Sequence, residues 1–206
     1  MASRVKKITS ISVGRFYERH QEALQLRLVG DSEDGLGRAI REPAPNRPGL
    51  ALAGFFTYFA NKRIQVIGNS ETSYLRKLSA TVRAARFRQL CEKGIPCVVS
   101  SRSHTLSDEL LAIASEYKLP IFCTPMVTMK FLNLASILLE QEFSESTSLH
   151  GCMVDYRGVG VLIMGSSGSG KSETAMGLLE RGAALVADDM VRVYSHGDEL
   201  IASAPE

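Results

Sequence analysis

Short apolar runs alternate with stretches of helical spacing through the first two-thirds of the chain. Residues 24–29, 63–67, 95–99 and 120–123 are apolar or alternate apolar with polar, and all are too short for helices, which predicts four strands. Segments 50–59, 81–92, 108–117 and 128–143 read as helices, the last with apolar residues at 131, 132, 134, 135, 138 and 139. Gly94 is placed to close the second helix, and Ser107 to cap the third through its hydroxyl. Strands separated by helices imply crossover connections, so the prediction is an α/β domain with a parallel sheet over residues 1–143. Residues 30–49 are too rich in Gly, Pro and acid for regular structure. The polar Ser/Thr stretch that follows the long last helix predicts a linker over 144–149.

From 150 the pattern changes. Two apolar segments, 152–156 and 159–164, flank Arg157-Gly158, the signature of a two-residue hairpin. A Gly-rich loop follows, then a helix over 171–181 ended by Gly182, then a strand over 184–187. Segments 191–194 and 199–202 flank His196-Gly197-Asp198 and predict a second hairpin. Residues 150–206 are therefore expected to form the start of a second domain.

Composition narrows the class. Of 206 residues, 45% are hydrophobic and 22% charged, which excludes disorder, collagen and coiled coil. No apolar run reaches the roughly 20 residues of a membrane span, and the basic N-terminus lacks the apolar segment of a signal peptide. The expectation is a cytoplasmic protein that does not bind a membrane. Lys and Arg total 24 against 22 acids, a net charge of +2 that gives no support to nucleic-acid binding. Arg83, Arg86 and Arg88 read as the solvated side of an amphipathic helix. Cys91, Cys97, Cys123 and Cys152 form no C-x-x-C pair and are expected as buried free thiols.

Residues 165–172, Gly-Ser-Ser-Gly-Ser-Gly-Lys-Ser, match G-x-x-x-x-G-K-S/T in full, between a strand and a helix. Gly165, Gly168 and Gly170 leave the backbone free to turn its N–H groups inward, and Ser166, Ser167 and Ser169 complete the phosphate cradle. The helix N-terminus aims roughly half a positive charge at the same anion. Lys171 reaches the β- and γ-phosphates of a nucleotide, and Ser172 can ligate Mg²⁺. Asp188-Asp189 ends the next strand, where two carboxylates can divide metal binding and proton transfer. Ser172 and Asp188 are the candidate metal ligands. His150 precedes the first strand of the hairpin.

His150-Gly151, Val154-Asp155, the segments 158–163 and 165–174, Arg181-Gly182 and the segment 185–189 together resemble HPr kinase/phosphorylase. Upstream, Arg47-Pro48-Gly49-Leu50, Ala53-Gly54-Phe55-Phe56, the segment 63–68, Gly94-Ile95-Pro96-Cys97 and Ser100–Arg102 resemble that family's N-terminal domain. The resemblance implies an N-terminal domain similar to that of the muramoyl-peptide ligases and a P-loop domain similar to phosphoenolpyruvate carboxykinase. It implies ATP- and Mg²⁺-dependent phosphorylation of a serine of HPr or an HPr-like protein, in regulation of carbon metabolism. It also implies reversal by phosphorolysis, with phosphate consumed and pyrophosphate released, and a hexameric assembly. Asp189 then resembles the family's proton acceptor, His150 its active-site histidine and Lys171 its phosphate-binding lysine. Family members continue into a glycine-rich segment with a Mg²⁺-binding glutamate and a later catalytic arginine. The sequence ends at Glu206, before either. It is read as a fragment or a shortened copy. The alternative is a non-catalytic nucleotide-binding or regulatory protein that keeps the P-loop. A third reading is an unrelated P-loop kinase of a small molecule.

Overall fold

A computed structural model describes residues 8–30, 33–196 and 199–204, and the chain divides into two units, Thr9–Phe143 and Ser144–Glu206. The first runs β1 (Ile11–Ser12), α1 (Val13–His20), β2 (Arg27–Val29), a 3-10 turn (Glu33–Gly35), β3 (Ala39–Ile40), α2 (Gly49–Leu52), β4 (Gln65–Ile67), α3 (Asn69–Lys77), α4 (Ala80–Glu92), β5 (Val98–Ser100), α5 (Asp108–Glu116), β6 (Ile121–Cys123) and α6 (Thr128–Phe143). Its sheet has the order β2-β6-β5-β4. β4, β5 and β6 are parallel, so the α/β expectation holds. β2 is the departure: it lies antiparallel to β6 at the edge, as mixed sheets allow.

Strand alternation divides the core between the two faces of this sheet. Ile67, Val98 and Ile121 pack with Phe87 and Leu90 of α4 and Ile113 of α5. Val66, Val99 and Phe122 pack with Phe16 of α1 and Phe131 and Leu139 of α6.

Local chemistry explains where the helices differ from the sequence pattern. The helix expected over 50–59 stops at Leu52, because Gly54 turns left-handed with φ 97°. Gly54 N–H donates to Ala51 C=O (2.9 Å) and Phe55 N–H to Leu50 C=O (2.9 Å), a Schellman ending. Two helices escaped the reading. Ser12 caps α1, its Oγ accepting from Arg15 N–H at 3.2 Å. α3 begins where the Glu71 carboxylate takes the Gly68 N–H at 3.0 Å. Ser107 does occupy the N-cap of α5, but its hydroxyl makes no capping bond. Two of the three arginines of α4 tie helices together instead of only facing solvent: Arg83 pairs with Glu109 (3.1 Å) and Arg88 with Glu116 (3.7 Å) of α5, while Arg86 bonds Gln89 of its own helix (3.2 Å).

Two buried carboxylates brace the unit. Glu71 is held by both Nε (3.0 Å) and Nη2 (2.8 Å) of Arg47. Glu142 accepts from Arg19 Nη1 at 2.7 Å and hydrogen-bonds His20 Nε2 at 3.0 Å. Burial alone would raise both carboxyls. The hydrogen bonds and positive partners outweigh it, and both lie below their ordinary 4.5.

The second unit runs β7 (Ser146–His150), β8 (Cys152–Tyr156), β9 (Val159–Ile163), α7 (Lys171–Leu179), β10 (Ala184–Ala187), β11 (Met190–His196) and β12 (Glu199–Ser203). Two three-stranded sheets form, β10-β8-β9 and β12-β11-β7. The stretch read as a linker over 144–149 is thus largely strand. β7 pairs antiparallel with β11, from Ser146 opposite Tyr194 to His150 opposite Met190. Its Ser and Thr residues looked like loop, but strand formation is decided by a partner some forty residues away. The β8–β9 hairpin forms as expected, with Arg157 (φ 55°) and Gly158 (φ 83°) both left-handed as a type I′ turn demands. β11 and β12 pair antiparallel, and the Gly197-Asp198 connection lies outside the described residues. No helix among the described residues is long and apolar enough to cross a membrane.

Candidate active site at one end of the small sheet

β9 and β10 are both antiparallel to β8, hence parallel to each other, one on each side of it. Their C-terminal ends therefore reach the edge where β8 begins: Cys152 pairs with Ile163, and Met153 with Ala187. The loop 164–170 leaves β9 at this edge, and Asp188-Asp189 leaves β10 there. β7 delivers His150 to the same place, opposite Met190. Three segments far apart in sequence thus converge through strand pairing alone.

Gly151 joins them. Its N–H donates to the Asp189 carbonyl at 3.0 Å. On its other side a Cβ would stand 2.7 Å from the Ile163 carbonyl oxygen and 3.1 Å from Leu162 Cδ1. Only glycine lets the end of β9 come this close.

The loop has the geometry expected of a phosphate cradle. Gly168 (φ 77°) and Gly170 (φ 86°) are left-handed. A side chain at Gly165 would collide with Ser169 Oγ. Ser169 N–H closes a turn onto the Ser166 carbonyl at 3.2 Å. Gly170 stands at the N-cap of α7 with no side chain to cap it, so the first N–H groups of the helix keep their capacity for an anion. Lys171 Nζ folds back onto the Ser166 carbonyl at 2.9 Å. Its ammonium is held at the loop, and an incoming phosphate competes with one neutral acceptor. Ser166, Ser167, Ser169 and Ser172 are exposed. α7 ends as predicted, with Gly182 (φ 91°) and an Ala183 N–H bond to the Leu178 carbonyl at 3.0 Å.

The two aspartates differ. Asp188 accepts from the Asp189 N–H at 3.0 Å, and the Cys152 thiol hydrogen-bonds its carboxylate. Burial and that carboxylate push the Cys152 thiol upward, so it stays protonated. Asp189 is left-handed (φ 66°), a conformation aspartate tolerates better than most residues. Its side chain is exposed and has no hydrogen-bond or ion-pair partner among the described residues, and the same holds for His150. Asp188 thus helps hold the turn, whereas the Asp189 and His150 side chains stand open at the surface. Ser172 and Asp188 offer hard oxygen donors that suit Mg²⁺, which takes few protein ligands and completes its shell with phosphates and water. No group of three His, Cys, Asp or Glu side chains that could hold a metal ion gathers among the described residues.

Sequence reasoning missed Gly151 as the close-packed joint of the site and Cys152 as the partner of Asp188. The first carried a signal, since glycine next to a candidate histidine is a residue chosen for backbone room. The second carried none.

Comparison with known proteins follows this division of the chain. Residues 11–139 match the family described as HPr Serine kinase N terminus, and residues 141–206 match HPr Serine kinase C-terminal domain. The chain is 41% identical over 202 residues to the HPr kinase/phosphorylase of Prosthecochloris aestuarii, covering 97% of this chain and 59% of that protein. It is 40% identical over the same length to the HPr kinase/phosphorylase of Chloroherpeton thalassium, with the same coverage. The chain thus spans about three-fifths of the length of these relatives. Among solved structures, the CBS and DRTGG domains of the regulatory region of Clostridium perfringens pyrophosphatase, complexed with diadenosine tetraphosphate, are similar at 16% identity. That likeness covers 61% of this chain and 46% of the other with a TM-score of 0.40.

Proposed function

The chain belongs to the HPr serine kinase family, and on that premise we propose that it carries the nucleotide-binding part of an ATP-dependent kinase acting on a serine of HPr or an HPr-like phosphocarrier. The observation that carries the proposal is the convergence of His150, the loop 165–172 and Asp188-Asp189 at one edge of one sheet.

In the kinase direction the loop N–H groups and Lys171 hold the β- and γ-phosphates of ATP. The acceptor serine Oγ attacks the γ-phosphorus, the bond to the β–γ bridging oxygen breaks, and ADP leaves. Asp189 takes the serine proton as the new P–O bond forms, because a neutral hydroxyl is a poor nucleophile. His150 hydrogen-bonds the acceptor or the transferring phosphoryl group, a role that its register opposite Met190 supports. Ser172 and Asp188 would hold Mg²⁺, which when bound neutralises charge on the phosphates. In reverse, an oxygen of inorganic phosphate attacks the phosphoserine phosphorus, pyrophosphate forms, and Asp189 returns the proton to the serine oxygen. A bifunctional regulator of this kind belongs in the cytoplasm, in control of carbon metabolism, and assembles as a homo-oligomer, hexameric in the family.

The test is phosphate transfer. The protein is incubated with γ-labelled ATP, Mg²⁺ and an HPr-like acceptor, beside Lys171→Ala and Asp189→Asn. Label on serine that is lost in both variants is the expected result. Nucleotide binding that depends on Lys171 with no serine labelled would replace this reading with a non-catalytic nucleotide-binding protein.

A further inference from the structure

The Thr9–Phe143 unit holds a cavity of about 250 Å³ between α3, α4 and the segment leading into α5. Leu75, Leu106 and Leu110 form an apolar wall, and Thr72, Arg76, Arg83, Thr105 and Ser107 supply polar groups. All of these residues belong to the Thr9–Phe143 unit, whereas the loop 165–172 belongs to the other.

Three observations point to a ligand. First, Thr72 is buried at 9% exposure, lines the cavity, and its Oγ1 has no hydrogen-bond partner among the described residues. Buried hydroxyls are almost always paired, and leaving one unpaired costs free energy. A ligand atom that accepts a hydrogen bond from this hydroxyl removes that cost. Second, Ser107 sits at the N-cap of α5, yet its hydroxyl takes no capping bond, so both its O–H and its lone pairs stay open to a ligand. Third, Arg76 has no ion-pair partner among the described residues. Arg83 gives Nε (3.3 Å) and Nη2 (3.1 Å) to Glu109, which leaves Nη1 uncommitted. Among the described residues Glu109 is the one carboxylate bonded to these groups, and it fixes Arg83 in place.

The walls are preorganised. His104 Nε2 hydrogen-bonds Asn69 Oδ1 at 2.6 Å, tying the segment 101–107 to the start of α3. Arg102 N–H and Ser103 N–H donate to the carbonyls of Met126 and Thr124, both at 2.9 Å. Donors already in position bind a ligand with less ordering cost.

We propose that this cavity binds a small phosphomonoester whose organic part lies against Leu75, Leu106 and Leu110. Every one of these polar groups can donate: two guanidiniums and three hydroxyls. A carboxylate, with two oxygens, can satisfy few of them. A phosphomonoester brings three terminal oxygens and a charge near −2, which matches the forks. The volume is just below that of sites for drug-sized ligands, so the organic part is small.

Phenyl phosphate, benzoate and inorganic phosphate are titrated into the full chain and followed by amide shifts. This readout separates the cavity from the loop 165–172. Saturable shifts with phenyl phosphate are expected at residues 72, 76 and 105–107. Arg76→Gln and Thr72→Val each weaken them by on the order of tenfold, while shifts at 165–172 stay as in the parent. Thr72→Val keeps the side-chain shape and removes an unpaired hydroxyl, so its Tm without ligand is expected to be unchanged or higher. Benzoate and inorganic phosphate bind more weakly here. No saturable shift at the cavity, equal affinity in both variants, or benzoate binding as tightly as phenyl phosphate would each overturn the proposal.

Discussion

The two units solve different problems. In Thr9–Phe143 the core is thick: Phe87, Phe122, Phe131, Ile64, Ile67 and Leu90 are fully buried on the two faces of the sheet. In Ser144–Glu206 the buried cluster is Cys152, Val154 and Ala175, and large apolar side chains stand exposed, including Val159 (64%), Met164 (60%), Met176 (59%) and Leu200 (78%). Yet the second unit carries the phosphate loop, the aspartate pair and the histidine. Stability in the first rests on side-chain packing. The proposed site in the second rests on backbone placement, through strand register, left-handed turns and one tightly enclosed glycine.

The largest effect that sharpens this contrast is a core truncation. Phe122→Ala should cost about 3–5 kcal/mol in urea unfolding, whereas Val154→Ala, with fewer buried methyls lost, should cost about 2 kcal/mol. Equal losses would mean that the small unit is packed more tightly than its exposed side chains indicate.

Next in size is the acid response of the first unit. Glu71 and Glu142 both have folded values below the ordinary 4.5. A depressed carboxyl contributes stability above the unfolded value, and that stability is lost as pH falls through the lowered folded value. Urea midpoints should therefore fall as the pH is taken below about 4.5, and Glu142→Gln should flatten that fall. An unchanged slope in Glu142→Gln would remove this carboxylate from the account.

Gly151→Ala is expected to cost about 1–3 kcal/mol, the usual range for forcing extra volume into a packed site. It should also weaken ATP binding, although residue 151 carries no functional group. Calorimetric titration with ATP measures it, and unchanged affinity would mean that the site does not depend on this close approach.

The smallest effect is in thiol reactivity. Burial pushes Cys91 and Cys97 up to about 12 and raises Cys152 as well. Native protein should react slowly with Ellman's reagent at pH 8, and Cys152 should react before Cys97, because a thin core opens more often. Cys97 reacting first would reverse the ranking of the two units.

These contrasts track how much the sequence told. The parallel strands and long helices of the first unit were legible because their apolar spacing is dictated by burial on one or two faces. α1 and α3 were not, although Ser12 and Glu71 are recognisable helix-start residues, because neither helix carries a long apolar stripe. β7 was hidden for a different reason. Ser146-Thr147-Ser148 is polar, and its strand state comes from β11. In the site, the loop 165–172 was legible in full, since its glycine spacing is itself the mechanism. Its convergence with His150 and Asp189 was not a local property: it follows from antiparallel pairing of β8 with both β9 and β10.

That convergence is the central claim, and a nucleotide titration tests it most directly. A non-hydrolysable ATP analogue with Mg²⁺ is added to the labelled chain, and backbone amide shifts are followed residue by residue. The account predicts saturable shifts at 165–172 together with 150–152 and 188–190, all lost in Lys171→Ala. Shifts confined to 165–172, with 150–152 and 188–190 unmoved, would contradict it.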